Sequence, residues 1–414
     1  MTCYDTCVMR KMFLTTVVLL FVFFLSSVGT GICAPVAKTQ TTNPLIKFLK
    51  EIEYTSRLKF EFDDNIFLTE DNQDSDFKQI FSQGLNYELS KEKQYFRLEY
   101  FGNYSYLDEE SLGILGHAAD VVYSYRPFDK FSVGFRNDFK WLQDTKVTSV
   151  IGDRVLALGY TQVSPSVQLK YEINPQYNVS LDLYDQILDA RDPVNDDYID
   201  NQQYGVTGRL NYNFAPEYNM VAFMGLGQRQ TEFAQIAEKS SSSLRPFFGL
   251  TKKFNSLLNL TQEFGFENVR MEENGNASSN NADSRTSLET TFSIYTKLKV
   301  SYDHNVNYPS LRSDYAQYKA NTASLGVIHA INPKTSLAFD YSYTRQAFNG
   351  GDALIGKTKE DRDTFIQTLG TTLTRKLPNG VALDFKYSYN KRDTDFAAEG
   401  YTDNKVSVAL TAKY

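Results

Sequence analysis

The stretch "NKVSVALTAKY", residues 404–414, decides how the rest of the chain is read. Val406, Val408, Leu410, Ala412 and Tyr414 alternate with Lys405, Ser407, Ala409, Thr411 and Lys413. Alternation with a period of two puts the apolar set on one face of an extended strand and the polar set on the other. One such strand decides little. The same pattern repeated along a whole chain decides the fold class.

It does repeat. "RLKFEF" sets Leu58, Phe60 and Phe62 against Lys59 and Glu61, and "YFRLEYFGNYSY" sets Phe96, Leu98, Tyr100, Tyr104 and Tyr106 against Arg97, Glu99, Asn103 and Ser105. "FSVGFRNDFKW" opposes Phe131, Val133, Phe135, Phe139 and Trp141 to Ser132, Arg136, Asp138 and Lys140. "VALDFKYSYN" opposes Val381, Leu383, Phe385, Tyr387 and Tyr389 to Asp384, Lys386, Ser388 and Asn390. From Tyr54 onward there is no helical period of any length, and the pattern reads as β-strand.

The connections alternate between two kinds. Tight turns stand at 90–93, 126–130, 173–177, 215–219, 254–256, 295–297, 331–335 and 377–380. Longer polar loops lie between them, including 68–76, 189–200, 271–284 and 349–361. Eight short turns and about nine long loops imply about eighteen strands. The alternation is weakest across 143–165 and 310–330, so the expected count is sixteen to eighteen.

A soluble propeller would want shorter strands and apolar residues on both faces. A soluble sheet with one oily face would need a second layer, and none is available. Hydrocarbon is the remaining cover, and there an all-strand structure has to close on itself so that every backbone amide is paired. The expected fold is all-β: a transmembrane up-and-down antiparallel β-barrel with short periplasmic turns and long extracellular loops. A negative mean hydropathy does not oppose this, because an alternating strand averages to neutral. The last strand, through Val406, Val408, Leu410 and Tyr414, resembles the signal that barrel assembly machinery reads.

The beginning of the chain has its own pattern. Arg10 and Lys11 precede an apolar run, Met12 to Leu25, and then small residues. That is the pattern of a secretory signal peptide, expected over 1–34 with Met9 as a possible start and cleavage after Ala34. Cys3, Cys7 and Cys33, the three cysteines of the chain, all lie in this leader. The exported body would therefore hold no disulfide or thiolate metal site. Residues 35–53 read as a periplasmic leader or short amphipathic helix, with Asn43 as cap and Pro44 at the first helical position. The barrel is expected over 54–414.

The stretch "LKFEFDDNIFLTEDNQDSDFKQIFSQGLNYEL" (58–89) resembles the start of the family described as Putative beta-barrel porin 2. The matching positions are Asp64, Asn65, Ile66, Phe67, Ser75 and Asp76. The resemblance implies an outer-membrane barrel, often associated with exopolysaccharide production and export; it assigns no role to those six residues.

A net charge of −7 and a pI of about 5.3 disfavour a nucleic-acid partner. Catalysis fits poorly. His117 is placed in a loop, His304 among outward apolar residues and His329 beside a periplasmic turn, and no serine–histidine–acid set follows from local spacing. No cofactor or catalytic metal is expected. The acidic stretches 71–76 and 192–200 read as solvated loops, or as divalent-ion bridges to lipopolysaccharide, and lack the glycine and glutamate of an EF-hand loop.

The polar face is the informative set. Arg97, Glu99, Arg136, Asp138, Lys140, Asp182, Arg209, Glu263, Lys299, Asp303, Asp340, Asp384 and Lys386 are expected to line a lumen, with Lys59, Glu61, Tyr95, Phe101 and Tyr184 on the same side. Barrels of this size exceed what side chains can fill and leave a channel unless plugged. The expected function is a porin-like channel for saccharides or exported exopolysaccharide. Its partners would be outer-membrane lipid and lipopolysaccharide, the assembly machinery, polysaccharide and periplasmic export components. The alternative is a non-conducting barrel that acts in adhesion or envelope structure through its acidic loops.

Overall fold

The computed structural model describes residues 51–65, 75–107, 112–142, 149–151, 154–156, 159–192, 197–198, 201–215, 219–233, 240–254, 257–271, 278–307, 318–348, 360–395 and 400–414. Its strands, in chain order, are β1 (Ile52–Asp63), β2 (Asp76–Lys91), β3 (Gln94–Leu107), β4 (Leu112–Phe128), β5 (Phe131–Leu142), β6 (Ser149–Ile151) and β7 (Arg154–Leu156). Then come β8 (Gly159–Asn174), β9 (Tyr177–Asp192), β10 (Asp197–Tyr198), β11 (Asn201–Ala215), β12 (Met220–Phe233), β13 (Ser241–Lys253) and β14 (Leu258–Met271). The last are β15 (Ser278–Ser293), β16 (Thr296–Asn307), β17 (Tyr318–Asn332), β18 (Thr335–Phe348), β19 (Arg362–Lys376), β20 (Val381–Thr394) and β21 (Tyr401–Lys413).

Apart from the short pieces β6, β7 and β10, eighteen strands pair antiparallel with their neighbours in chain order, and β1 pairs with β21 to close the ring. Leu58, Phe60 and Phe62 stand opposite Leu410, Val408 and Val406, so the first and last oily faces are continuous across the seam. Closure leaves no unpaired sheet edge. The apolar face stays exposed around the barrel: Met224 is 61% exposed, Phe266 60% and Val406 54%. No soluble fold leaves such a band uncovered.

Turns appear at 294–295, one residue ahead of the expected 295–297, and, inside the expected tight connections, at 92–93, 129–130, 175–176, 333–334 and 379–380. In the last of these Asn379 and Gly380 have φ of 59° and 73°, the left-handed conformation that hairpin turns demand. The β13–β14 and β8–β9 ladders are interrupted beside Pro246 and Pro165, where a backbone N–H is missing, while β12–β13 and β5–β8 pair continuously past them.

Several boundaries differ from the sequence expectation. Ile52 and Glu53 are strand, not helix or leader, because backbone bonds between Tyr54 and Tyr414 draw this end into the seam. Residues 1–50 lie outside the described residues, and with them the signal peptide and residues 42–50, while Glu51 is helical. Residues 278–284 belong to β15 and 189–192 to β9, not to loops. Small and polar residues fill both parities of these two strand ends, so the apolar alternation is lost there. His117 sits inside β4, not in a loop. The small residues around it, Gly113, Gly116, Ala118 and Ala119, hide the alternation. The doubtful stretch 310–330 holds the regular strand β17.

Candidate functional site

Strand register sorts the charged residues. The charged residues expected on the polar face share one parity, opposite Phe60, Phe248 and Phe266, and cross-strand pairing brings many of them together. On β3–β5, Arg97 Nη2 donates to Asp120 Oδ2 at 2.7 Å and Arg136 Nε donates to Asp120 Oδ1 at 2.9 Å. Glu99 lies 3.7 Å from Arg97, and Lys140 lies 3.3 Å from Asp138. Asp182 accepts from Gln168 at 2.6 Å, Asp384 accepts from Thr374 at 2.7 Å, and Lys299 pairs with Glu289 at 2.9 Å. Among the described residues Asp340 and Lys386 have no ion-pair partner.

The densest set lies on β12–β16. Arg229 donates to Glu267 at 2.7 Å, Arg245 donates to Glu263 at 2.8 Å and forks onto Asp283, and Arg285 donates to Asp303 at 2.5 Å. Arg245 reaches Asp283 two strands away because Gly265 lies between them. A Cβ there would fall 2.8 Å from Arg245 Nε. Arg209 instead stacks on the Phe223 ring at 3.7 Å and donates Nε–H to Asn211.

Aromatic rings on this polar face lie against glycines. Phe101 faces Gly84, Tyr184 faces Gly205, Phe247 faces Gly225 and Phe223 faces Gly249, each a direct cross-strand pair. A Cβ on Gly249 would stand 2.2 Å from Phe223 and 2.3 Å from the Gln262 carbonyl. The missing side chain lets the ring lie flat on the wall.

Asp120, Arg229, Arg245, Glu267, Asp283 and Arg285 escaped the sequence reading. Their signal was parity, carried forward from Leu244, Pro246 and Phe248 and from Phe264 and Phe266. It was masked because Phe223 and Phe247 put rings on the polar face as well.

A second cluster sits at the end of the seam away from the short turns. Asp64 accepts from the Asn404 N–H at 2.6 Å and from Asn404 Nδ2 at 2.7 Å, and Asn65 donates to the Thr402 carbonyl at 2.8 Å. Beside them Asp63 takes Lys78 of β2 and Lys405 of β21, and Lys405 also contacts Asp403 at 3.0 Å. Asp63, Asn65 and Asp76 are all buried, and Asp76 accepts from the Phe77 N–H. Ser75 is half-buried; Ile66 and Phe67 lie outside the described residues. Asp63, Asp64 and Asp403 could each turn one oxygen toward a metal ion. Two lysines already supply positive charge there, so the cluster reads as a clasp across the seam. At the other end Tyr54 and Tyr414 exchange backbone bonds, and Lys413 contacts Glu53 at 2.6 Å.

His304 shares the face of Val300 and Tyr302 and contacts Asn321 at 2.8 Å. His117 contacts the Tyr100 hydroxyl at 2.7 Å and stacks on Trp141. His329 contacts Thr296 at 2.9 Å. The three histidines stand on different strands, and among the described residues none pairs with a carboxylate. The loop cores at 71–74, 193–196 and 199–200 lie outside the described residues.

The fold and its exposed band define an outer-membrane β-barrel. Residues 163–414 match the family described as Putative beta-barrel porin 2, and the chain belongs to it. The matched part begins in β8, beyond the 58–89 stretch that carried the resemblance in the sequence. Among solved structures, the ferric enterobactin receptor of Pseudomonas aeruginosa bound to BCV-L6 is similar with a TM-score of 0.50 at 10% identity, over 88% of this chain and 81% of that one. OccAB4 of Acinetobacter baumannii is similar with a TM-score of 0.45 at 13% identity, over 88% and 98%. At such identities the likeness is one of fold. No curated protein matches the sequence.

Proposed function

We propose that the protein is a passive, porin-like channel, and that its polar face lines a water-filled lumen through which saccharides or exported polysaccharide pass. One observation carries the reading. In a closed eighteen-strand ring, the face opposite the exposed apolar band holds the charged residues in mutually paired sets. Eighteen strands enclose more space than side chains of this size fill, as in porins. Rings held flat by glycine keep the wall low. The pairing of signs leaves no wall of one charge, which favours a weakly selective pore. Transport of this kind needs no cofactor and no turnover, and family membership agrees with a non-enzymatic channel.

The test is conductance of the refolded chain in a planar bilayer, with neutral and acidic oligosaccharides added. Large open steps that saccharides transiently block support the channel and its cargo. A silent bilayer from a folded, heat-modifiable barrel overturns the channel and favours adhesion through the loops.

A further inference from the structure

The polar wall is not uniform. Across β9 and β11–β16 it carries a hollow of about 270 Å³, lined by Tyr184, Arg229, Arg245, Glu267, Asp283 and Asp303 among others. This lies just below the ligand-cleft range, roughly 300–1,000 Å³, and suits one ring-sized group. Resting on the channel reading, we propose that this hollow is a binding subsite for an uncharged sugar unit of the passing saccharide.

Three observations select that ligand class. The first is electrostatic. Arg229, Arg245 and Arg285 are all engaged by carboxylates of Glu267, Glu263, Asp283 and Asp303. Three cations against four anions offer nothing to an acidic sugar, and carboxylates already bound to guanidinium groups hold a small cation poorly. The second is geometric. A guanidinium fork beside a carboxylate presents in-plane donors next to free lone pairs, the complement of adjacent hydroxyls on a sugar ring. Tyr184, half-buried against Gly205, adds a ring edge and a hydroxyl, whereas Phe247 is buried beneath Arg245.

The third is continuity. Next to β16 the same face of β17–β19 is a field of hydroxyls. Thr322 bonds Thr344 at 2.9 Å and Ser342 bonds Thr368 at 2.6 Å. Asp340 stands among them, and Arg362 and Lys376 mark the two ends of the same face on β19. A neutral, hydroxyl-bearing chain can trade bonds along this wall without desolvating an ion.

The test uses the full chain folded in detergent micelles and titrated calorimetrically with a neutral hexasaccharide of glucose and with its hexauronate counterpart. Tyr184→Ala and Glu267→Gln are compared with Ser132→Ala on β5, each checked for heat-modifiable mobility. The expected result is binding of the neutral probe, at least tenfold weaker in both hollow variants and unchanged in Ser132→Ala, with the hexauronate bound no more tightly. Absence of neutral-probe binding, equal affinity in the folded hollow variants, or tighter hexauronate binding each overturns the subsite. Bilayer conductance is recorded in parallel. Open channels without variant-sensitive binding refute the subsite alone, and a silent bilayer with binding intact refutes the channel alone.

Discussion

Asp64 shows how much can rest on one side chain. Its two oxygens take both the backbone and the side-chain N–H groups of Asn404 on the far side of the seam. Asp64→Ala removes both acceptors and leaves two donors to find water. A loss of about 1–3 kcal/mol in unfolding free energy is expected, the usual penalty for unmade hydrogen bonds at a part-buried site. Urea titration of the folded barrel in micelles measures it. Asp64→Asn keeps one acceptor and should fall between wild type and alanine. If alanine unfolds with the wild-type midpoint, the seam does not depend on this contact. The motif position that carried no assigned role thus acquires a physical one, a bond between the first hairpin and the last strand.

Among the elements, β13 is constrained on both faces. Its outward residues Leu244, Pro246 and Phe248 meet the lipid, while Gly249 accommodates the Phe223 ring from β12. Gly249→Val has nowhere to put its branches, since a Cβ there already meets both the ring and a backbone carbonyl. The expected outcome is loss of the heat-modifiable species on electrophoresis. Phe223→Ala in the same chain should recover only part of it, because the carbonyl remains. On β21 the constraint is solvation. Val408 lies on the lipid face opposite Phe60, and Val408→Arg should destabilise by about 2–4 kcal/mol if it lies near the bilayer midplane. Thr411→Lys, on the polar face of the same strand and only half-buried, should cost far less. Equal effects from the two would reverse the assignment of faces.

For the whole molecule, closure and charge pairing act together. A ring of strands with mixed signs on its wall should conduct potassium chloride with a cation-to-anion permeability ratio within a few fold of one. Reversal potentials under a salt gradient report it, and strong selectivity of either sign would contradict an even distribution of wall charge. The strand count was legible because tight turns are marked by Asn-Pro, Pro-Asn-Gly and their like, and the lipid band imposes alternation between them. Strand ends were not legible. Beyond the band, at 278–284 and 189–192, small and polar residues fill both parities and the sequence carries no hydrophobic period.

Alternation by itself determined that this chain is a barrel in a membrane, since one continuous oily face has no other cover. It also determined which residues share the polar face, because parity within a strand is a local property. Only the tertiary structure decided which of those residues meet. Arg245 with Asp283, Asp63 with Lys405 and Asp64 with Asn404 are set by register between strands and by closure of the ring, and neither leaves a mark within a single strand.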